Sequence, residues 1–166
     1  ILNNEVLESN MSWRSRYFEY LGYRPLLNKF FGNDPNMKWT CMPKCSMNGN
    51  MYIQDYPVKR DDPKRIELCN NQVFPVINEP VLDAADIVRC GKDLFIQHGY
   101  VTNQLGINWI KRQYGDRYNI HQVNFENNII PTHMDALMVP IRPGIMLYNS
   151  WTPIISKEVL ELFKNS

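Results

Sequence analysis

The chain has 166 residues, 44% of them hydrophobic, with 18 basic and 17 acidic side chains that leave a formal net charge of +1. That is enough apolar material for a domain with a real core, and it excludes a disordered chain. The balanced charge marks no face for nucleic acid or an anionic membrane, and no run of about 18 apolar residues is present to span a bilayer.

In chain order, Glu5–Glu8 is a short strand candidate. It leads into Ser12–Tyr20, where Trp13, Phe18 and Leu21 recur at roughly helical spacing. Pro25 is expected to interrupt or restart that helix, with Leu26, Leu27, Phe30 and Phe31 carrying its apolar face on to Gly32. The stretch from Asn33 to Pro63 is rich in Pro, Asn, Asp and Gly and reads as loops around short extended pieces. Tyr52–Tyr56 and the charged Lys59–Arg65 read as solvated surface.

From residue 72 the pattern becomes regular. Val73–Ile77 is a strand candidate despite Pro75, Val81–Asp83 sits at a strand end, and Asp93–Gln97 is another strand. Thr102 is placed to cap a helix over Asn103–Tyr114, stopped by Gly115. Tyr118–Phe125 alternates as a strand. Asp135–Val139 and Ile145–Tyr148 read as paired strands joined through Arg142-Pro143-Gly144, and a helix over Ser156–Lys164 follows. A strand–helix–strand unit thus occurs once in full and once in part, which points to a repeated β/α architecture. The chain opens at Ile1 and closes directly after an apolar helix, so it is expected to be part of a longer protein.

Two tracts carry chemistry. Asp83-Ala84-Ala85-Asp86 and, fifty residues on, His133-Met134-Asp135 supply carboxylates and an imidazole that folding can bring to one point. Histidine moves protons near neutral pH, a carboxylate fixes its tautomer, and another carboxylate holds a cation. On a strand, His133 and Asp135 would leave the same face. No serine or cysteine beside these tracts fills the role of a nucleophile. Cys41 and Cys45 have a spacing that zinc sites use. Cys69, Cys90 and His98 do not form the second ligand pair, so four free thiols are expected. His98 and His121 are read as structural.

Met11-Ser-Trp-Arg-Ser-Arg16 with Phe18-Glu19-Tyr20 resembles a segment of the glycine amidinotransferase family. So do Pro43-Lys44, Gln54-Asp55-Tyr56, Asp83-Ala-Ala-Asp86, Val101-Thr-Asn103 with Leu105-Gly-Ile107, and His133-Met-Asp135-Ala136. The tracts run along nearly the whole chain in the family's order. The resemblance implies an α/β fold, the pentein or α/β propeller, of which residues 1–166 would form an incomplete catalytic domain of about two of the five ββαβ modules.

It also implies transfer of an amidino group from L-arginine to an acceptor amine through an amidino-cysteine, in a cytoplasmic enzyme with no cofactor or metal and with a homodimer as its possible assembly. Carried onto this chain, Asp83 is the triad carboxylate, His133 the general acid/base and Asp135 a ligand for the substrate guanidinium. The family's nucleophilic cysteine lies beyond Ser166, so the segment alone is expected to be inactive.

The chain departs from the pattern at two positions. Thr152 stands where the family has an arginine that grips the donor carboxylate, with Arg142 the nearest basic alternative. Thr132 replaces the methionine that precedes the histidine in glycine-using members. That second change favours a larger acceptor, as in toxin and aminocyclitol antibiotic pathways. Two other readings remain open: a hydrolase of the same fold that converts arginine to citrulline, and a binding protein that kept the scaffold.

Overall fold

The computed structural model describes residues 1–126, 128–130 and 132–164. Strand β1 (Glu5–Glu8) pairs in parallel with β2 (Lys38–Cys41), and helix α1 (Tyr20–Asn33) lies between them in sequence. Helix α2 (Pro63–Asn70) precedes a three-stranded sheet of β3 (Ile87–Cys90), β4 (Asp93–Gln97) and β5 (Asn119–Val123). Strands β3 and β4 are antiparallel, whereas β4 and β5 are parallel and joined by helix α3 (Gln104–Tyr114). A hairpin of β6 (Met138–Arg142) and β7 (Ile145–Tyr148) and then helix α4 (Lys157–Lys164) complete the described chain. Among the described residues no helix is long and apolar enough to cross a membrane.

Both hairpins close through a glycine with positive φ, Gly91 at 62° and Gly144 at 77°. The Pro143-Gly144 order is the one a type II turn requires. Strand β4 is buried on both faces, and its alternation divides the core in two. Leu94 and Ile96 pack with Ile107, Ile110 and Tyr114 of α3. Phe95 points the other way, into a cluster with Met134, Leu137, Met138 and Val159.

The cap of α3 is Asn103 rather than Thr102. Its Oδ1 accepts the Gly106 N–H at 2.9 Å and the Val81 N–H at 3.2 Å, and its amide donates to the carbonyls of Val76 and Glu79. One side chain therefore ends the helix and pins the segment that runs into Asp83. Gly106 lets that segment approach. A Cβ there would lie 2.0 Å from the Val81 carbonyl oxygen.

Several expectations change. Ahead of α1, which begins at Tyr20, residues 12–19 hold only a 3-10 turn at Arg14–Arg16, and Pro25 sits inside a continuous α1 instead of breaking it. No residue of α1 is buried, so the carbonyl that loses its partner to Pro25 is not shut away from water. Val73–Ile77 and Val81–Asp83 form no strands. Only Val76 bridges, to Tyr52, in a stretch where Pro75 and Pro80 lack N–H donors. Lys59–Arg65 is not all solvated surface, because Asp62 caps α2 and Arg65 is buried.

Space around two glycines separates their substitutions. Gly106→Ala should destabilise the fold by about 1–3 kcal/mol or more, the cost of forcing atoms into a filled site. Gly22→Ala in α1, with nothing within 4 Å of the added Cβ, should stabilise by about 0.5–1 kcal/mol. Urea unfolding of both variants checks this contrast.

Candidate active site

Two short 3-10 turns build the site. In the first, Ala84–Asp86, Asp83 is the N-cap and its Oδ1 accepts the Ala85 N–H at 3.0 Å. Residues three apart nearly eclipse in a 3-10 turn, so the Asp-x-x-Asp spacing aims Asp83 and Asp86 to the same side. Thr102, wholly buried ahead of α3, accepts the Asp83 N–H at 3.0 Å, and its side chain favours the charged form of Asp86.

The second turn, Met134–Ala136, has His133 as its N-cap. The imidazole meets both carboxylates. Nδ1 lies 3.0 Å from Asp86 Oδ1, and Nε2 lies 3.9 Å from Asp83 Oδ2. The carboxylate in hydrogen-bond contact with the ring is thus Asp86, with Asp83 beside the opposite nitrogen. In this arrangement Nδ1–H donates to Asp86 and leaves Nε2 to exchange protons. Asp83 Oδ2 and Asp86 Oδ2 are both buried and have no hydrogen-bond partner among the described residues.

His133 and Asp135 do not share a strand face. They belong to a 3-10 turn that precedes β6, where Met134 and Leu137 are the residues drawn into the core. Asp135 is exposed and acts on His133 only as a more distant negative charge. Arg142 sits at the far end of β6, beside the Pro143-Gly144 turn. The cation at the carboxylates is instead Arg16, whose Nη1 lies 3.8 Å from Asp83 Oδ2 while Glu19 holds the rest of its guanidinium.

These contacts set the electrostatics. The hydrogen bond to Asp86 raises the His133 pKa against the opposing effect of burial, and Asp83 and Asp135 add to the rise. Burial holds the Asp86 pKa above the ordinary carboxylate value, opposed by its bonds to His133 and Thr102. The thiols behave differently. Burial pushes Cys41 and Cys90 up and takes Cys45 to about 12. None of these three is tuned toward a thiolate nucleophile.

Of the expected site residues, Asp83 and His133 meet, and Asp135 stays at the rim. Asp86, Thr102 and Arg16 complete the cluster. Asp86 lies in a tract that suggested the site, whereas Thr102 and Arg16 lie in tracts that carry only the family resemblance, and the folded geometry reveals their places. His121 has a carboxylate beside it, Asp93 at 2.8 Å on the neighbouring strand.

No protein-family model matches the chain. It is 36% identical over all 166 residues to the mitochondrial glycine amidinotransferase of Danio rerio. It is 37% identical over 149 residues to the L-arginine:L-lysine amidinotransferase of Pseudomonas savastanoi pv. phaseolicola. Its fold matches the saxitoxin-pathway amidinotransferase SxtG of Microseira wollei with a TM-score of 0.74 and 36% identity, covering 90% of this chain and 40% of that one. The chain thus resembles the glycine amidinotransferase family, and its fold is part of the mixed α/β pentein fold. It spans 38% of the length of the Danio rerio relative and 39% of the Pseudomonas one.

The charge arrangement predicts the titration of His133. Asp86→Asn should lower its pKa toward the ordinary value, and Asp83→Asn should lower it less, because Asp83 acts through space alone. Imidazole NMR titration reads both shifts. A larger effect from Asp83→Asn would reverse the assigned partners.

Proposed function

We propose that this segment provides the proton-transfer and cation-binding part of an amidinotransferase that moves the amidino group of L-arginine to an acceptor amine. The observation that carries the reading is the pair of buried carboxylates, Asp83 and Asp86, gathered around His133, each with one oxygen that accepts no hydrogen bond among the described residues. A buried carboxylate oxygen that accepts no hydrogen bond is costly, and a planar guanidinium with several N–H donors offsets that cost. Similarity to amidinotransferases along the whole chain supports the same reaction class.

Each residue then has a task. Asp86 fixes the His133 ring through Nδ1, Asp83 faces the incoming cation beside Nε2, and Asp135 adds negative charge at the rim. A cysteine thiolate, expected from a part of the enzyme outside this segment, attacks the guanidinium carbon and forms a C–S bond. As the C–N bond to ornithine breaks, protonated His133 gives the Nε2 proton to the departing amine. In the second half, neutral His133 takes a proton from the acceptor amine as its nitrogen attacks the amidino carbon. The C–S bond breaks and the thiolate is restored. Thr132, a small polar neighbour of His133, favours an acceptor larger than glycine.

Turnover by the complete enzyme tests the assignment. His133→Ala should lower ornithine release from arginine by more than about a hundredfold, since both half-reactions move a proton. Asp135→Asn should slow formation of the amidino-enzyme while leaving the fold intact. The 166-residue segment alone should release no ornithine. Near-normal transfer by His133→Ala, or citrulline as the product in place of ornithine, would overturn the reading.

A further inference from the structure

His133 lies between β5 and β6, and side chains from elsewhere hold the backbone ahead of it at Ile129 and Thr132. Gln97 Nε2 donates to the Thr132 carbonyl at 2.8 Å, one residue before His133. Arg65 Nη2 donates to the Ile129 carbonyl at 2.8 Å, and Tyr100 OH reaches the same oxygen at 3.4 Å. Arg65 Nε in turn donates to Tyr100 OH at 2.7 Å.

Both holding residues are costly where they stand. Gln97 is 2% exposed at the end of the central core strand, on the face it shares with Phe95, where an apolar side chain would pack. Arg65 is 7% exposed, and among the described residues no carboxylate pairs with it. Its guanidinium is spent on the Tyr100 hydroxyl and the carbonyls of Val58 and Ile129. A buried, unpaired cation is a poor stabilising device, because desolvation opposes it. What the two residues share is the backbone they fix, within four residues of the imidazole.

We infer that Gln97 and Arg65 are positioning residues that set the height of the His133 segment so that the imidazole meets Asp86. The inference rests on the reading of His133 as the acid–base group, but the geometry it concerns can be measured without turnover. Gln97 acts from the sheet and Arg65 from α2. Two elements distant in sequence thereby converge on one carbonyl each and leave the ring little freedom to swing away.

Imidazole NMR on Gln97→Met and Arg65→Met is the test. Each variant keeps the bulk of the side chain and removes its N–H donors. The chain has three histidines, and His121, bonded to Asp93 within the sheet, reports that the fold persists. In both variants the His133 pKa should fall toward the ordinary 6.5, with loss of the hydrogen-bonded Nδ1 signal and an unchanged His121. Arg65→Lys, which keeps the charge and a donor, should restore part of the shift. If Arg65→Met unfolds, Arg65→Lys decides, because a partial fall supports the inference.

An unchanged His133 titration in folded variants would overturn the inference and leave Gln97 and Arg65 as merely stabilising. Inactivity of the complete enzyme with the His133–Asp86 contact intact would instead count against the proposed function alone.

Discussion

The hydrogen bond between His133 and Asp86, 47 residues apart and 3.0 Å long, is the contact on which the rest of the site depends. Asp86 has no solvent exposure, and its carboxylate was taken out of water at considerable cost. That cost is offset only if His133 arrives in register with the turn that Thr102 holds through the Asp83 N–H. Thr102 is placed by the start of α3, and His133 by the turn that leads into β6. The contact therefore reports whether the sheet, the helix that crosses it and the turn ahead of β6 have all formed together.

Strand β4 is the frame that makes this convergence possible. Its alternation sends Leu94 and Ile96 to α3 and Phe95 to the cluster around Met134 and Val159. Its last residue, Gln97, carries a donor to the doorstep of His133. On the other side of the sheet, Asn103 and Gly106 hold residues 81–83 against the helix start, which fixes the two carboxylates from behind. The site is thus rigid where acid–base chemistry needs a fixed ring, and beside that ring two buried carboxylate oxygens accept no hydrogen bond among the described residues.

Periodicity reveals the regular parts of this chain. Strands β1, β4 and β7, the parallel unit through α3 and helix α4 follow from alternation and turn residues, whereas β6 begins three residues later than expected, at Met138, and takes in Arg142. Elements set by tertiary contact stay hidden. Strand β2 lies in a stretch rich in turn residues, and β3 (Ile87–Cys90) follows the Ala84–Asp86 turn with no break in the sequence to set it off. Helix α2 announces itself through Asp62-Pro63, an N-cap followed by proline, but its charged sequence reads as surface.

The site shows the same division. Residue types and the Asp-x-x-Asp spacing find the right tracts, and family resemblance gives their chemistry. Which carboxylate touches the ring is decided by a 3-10 turn that composition does not encode. Arg65 looks like one more surface cation until its burial under Tyr100 is seen.

A double-mutant cycle on Asp86→Asn and His133→Gln, read by unfolding free energy at neutral pH, tests this account most directly. If the two side chains meet as described, their coupling should be favourable by about 0.5–3 kcal/mol, the range for residues in contact. The effects of the single substitutions would then fail to add. Strict additivity, with a coupling indistinguishable from zero, would show that His133 and Asp86 do not meet and that the site is assembled some other way.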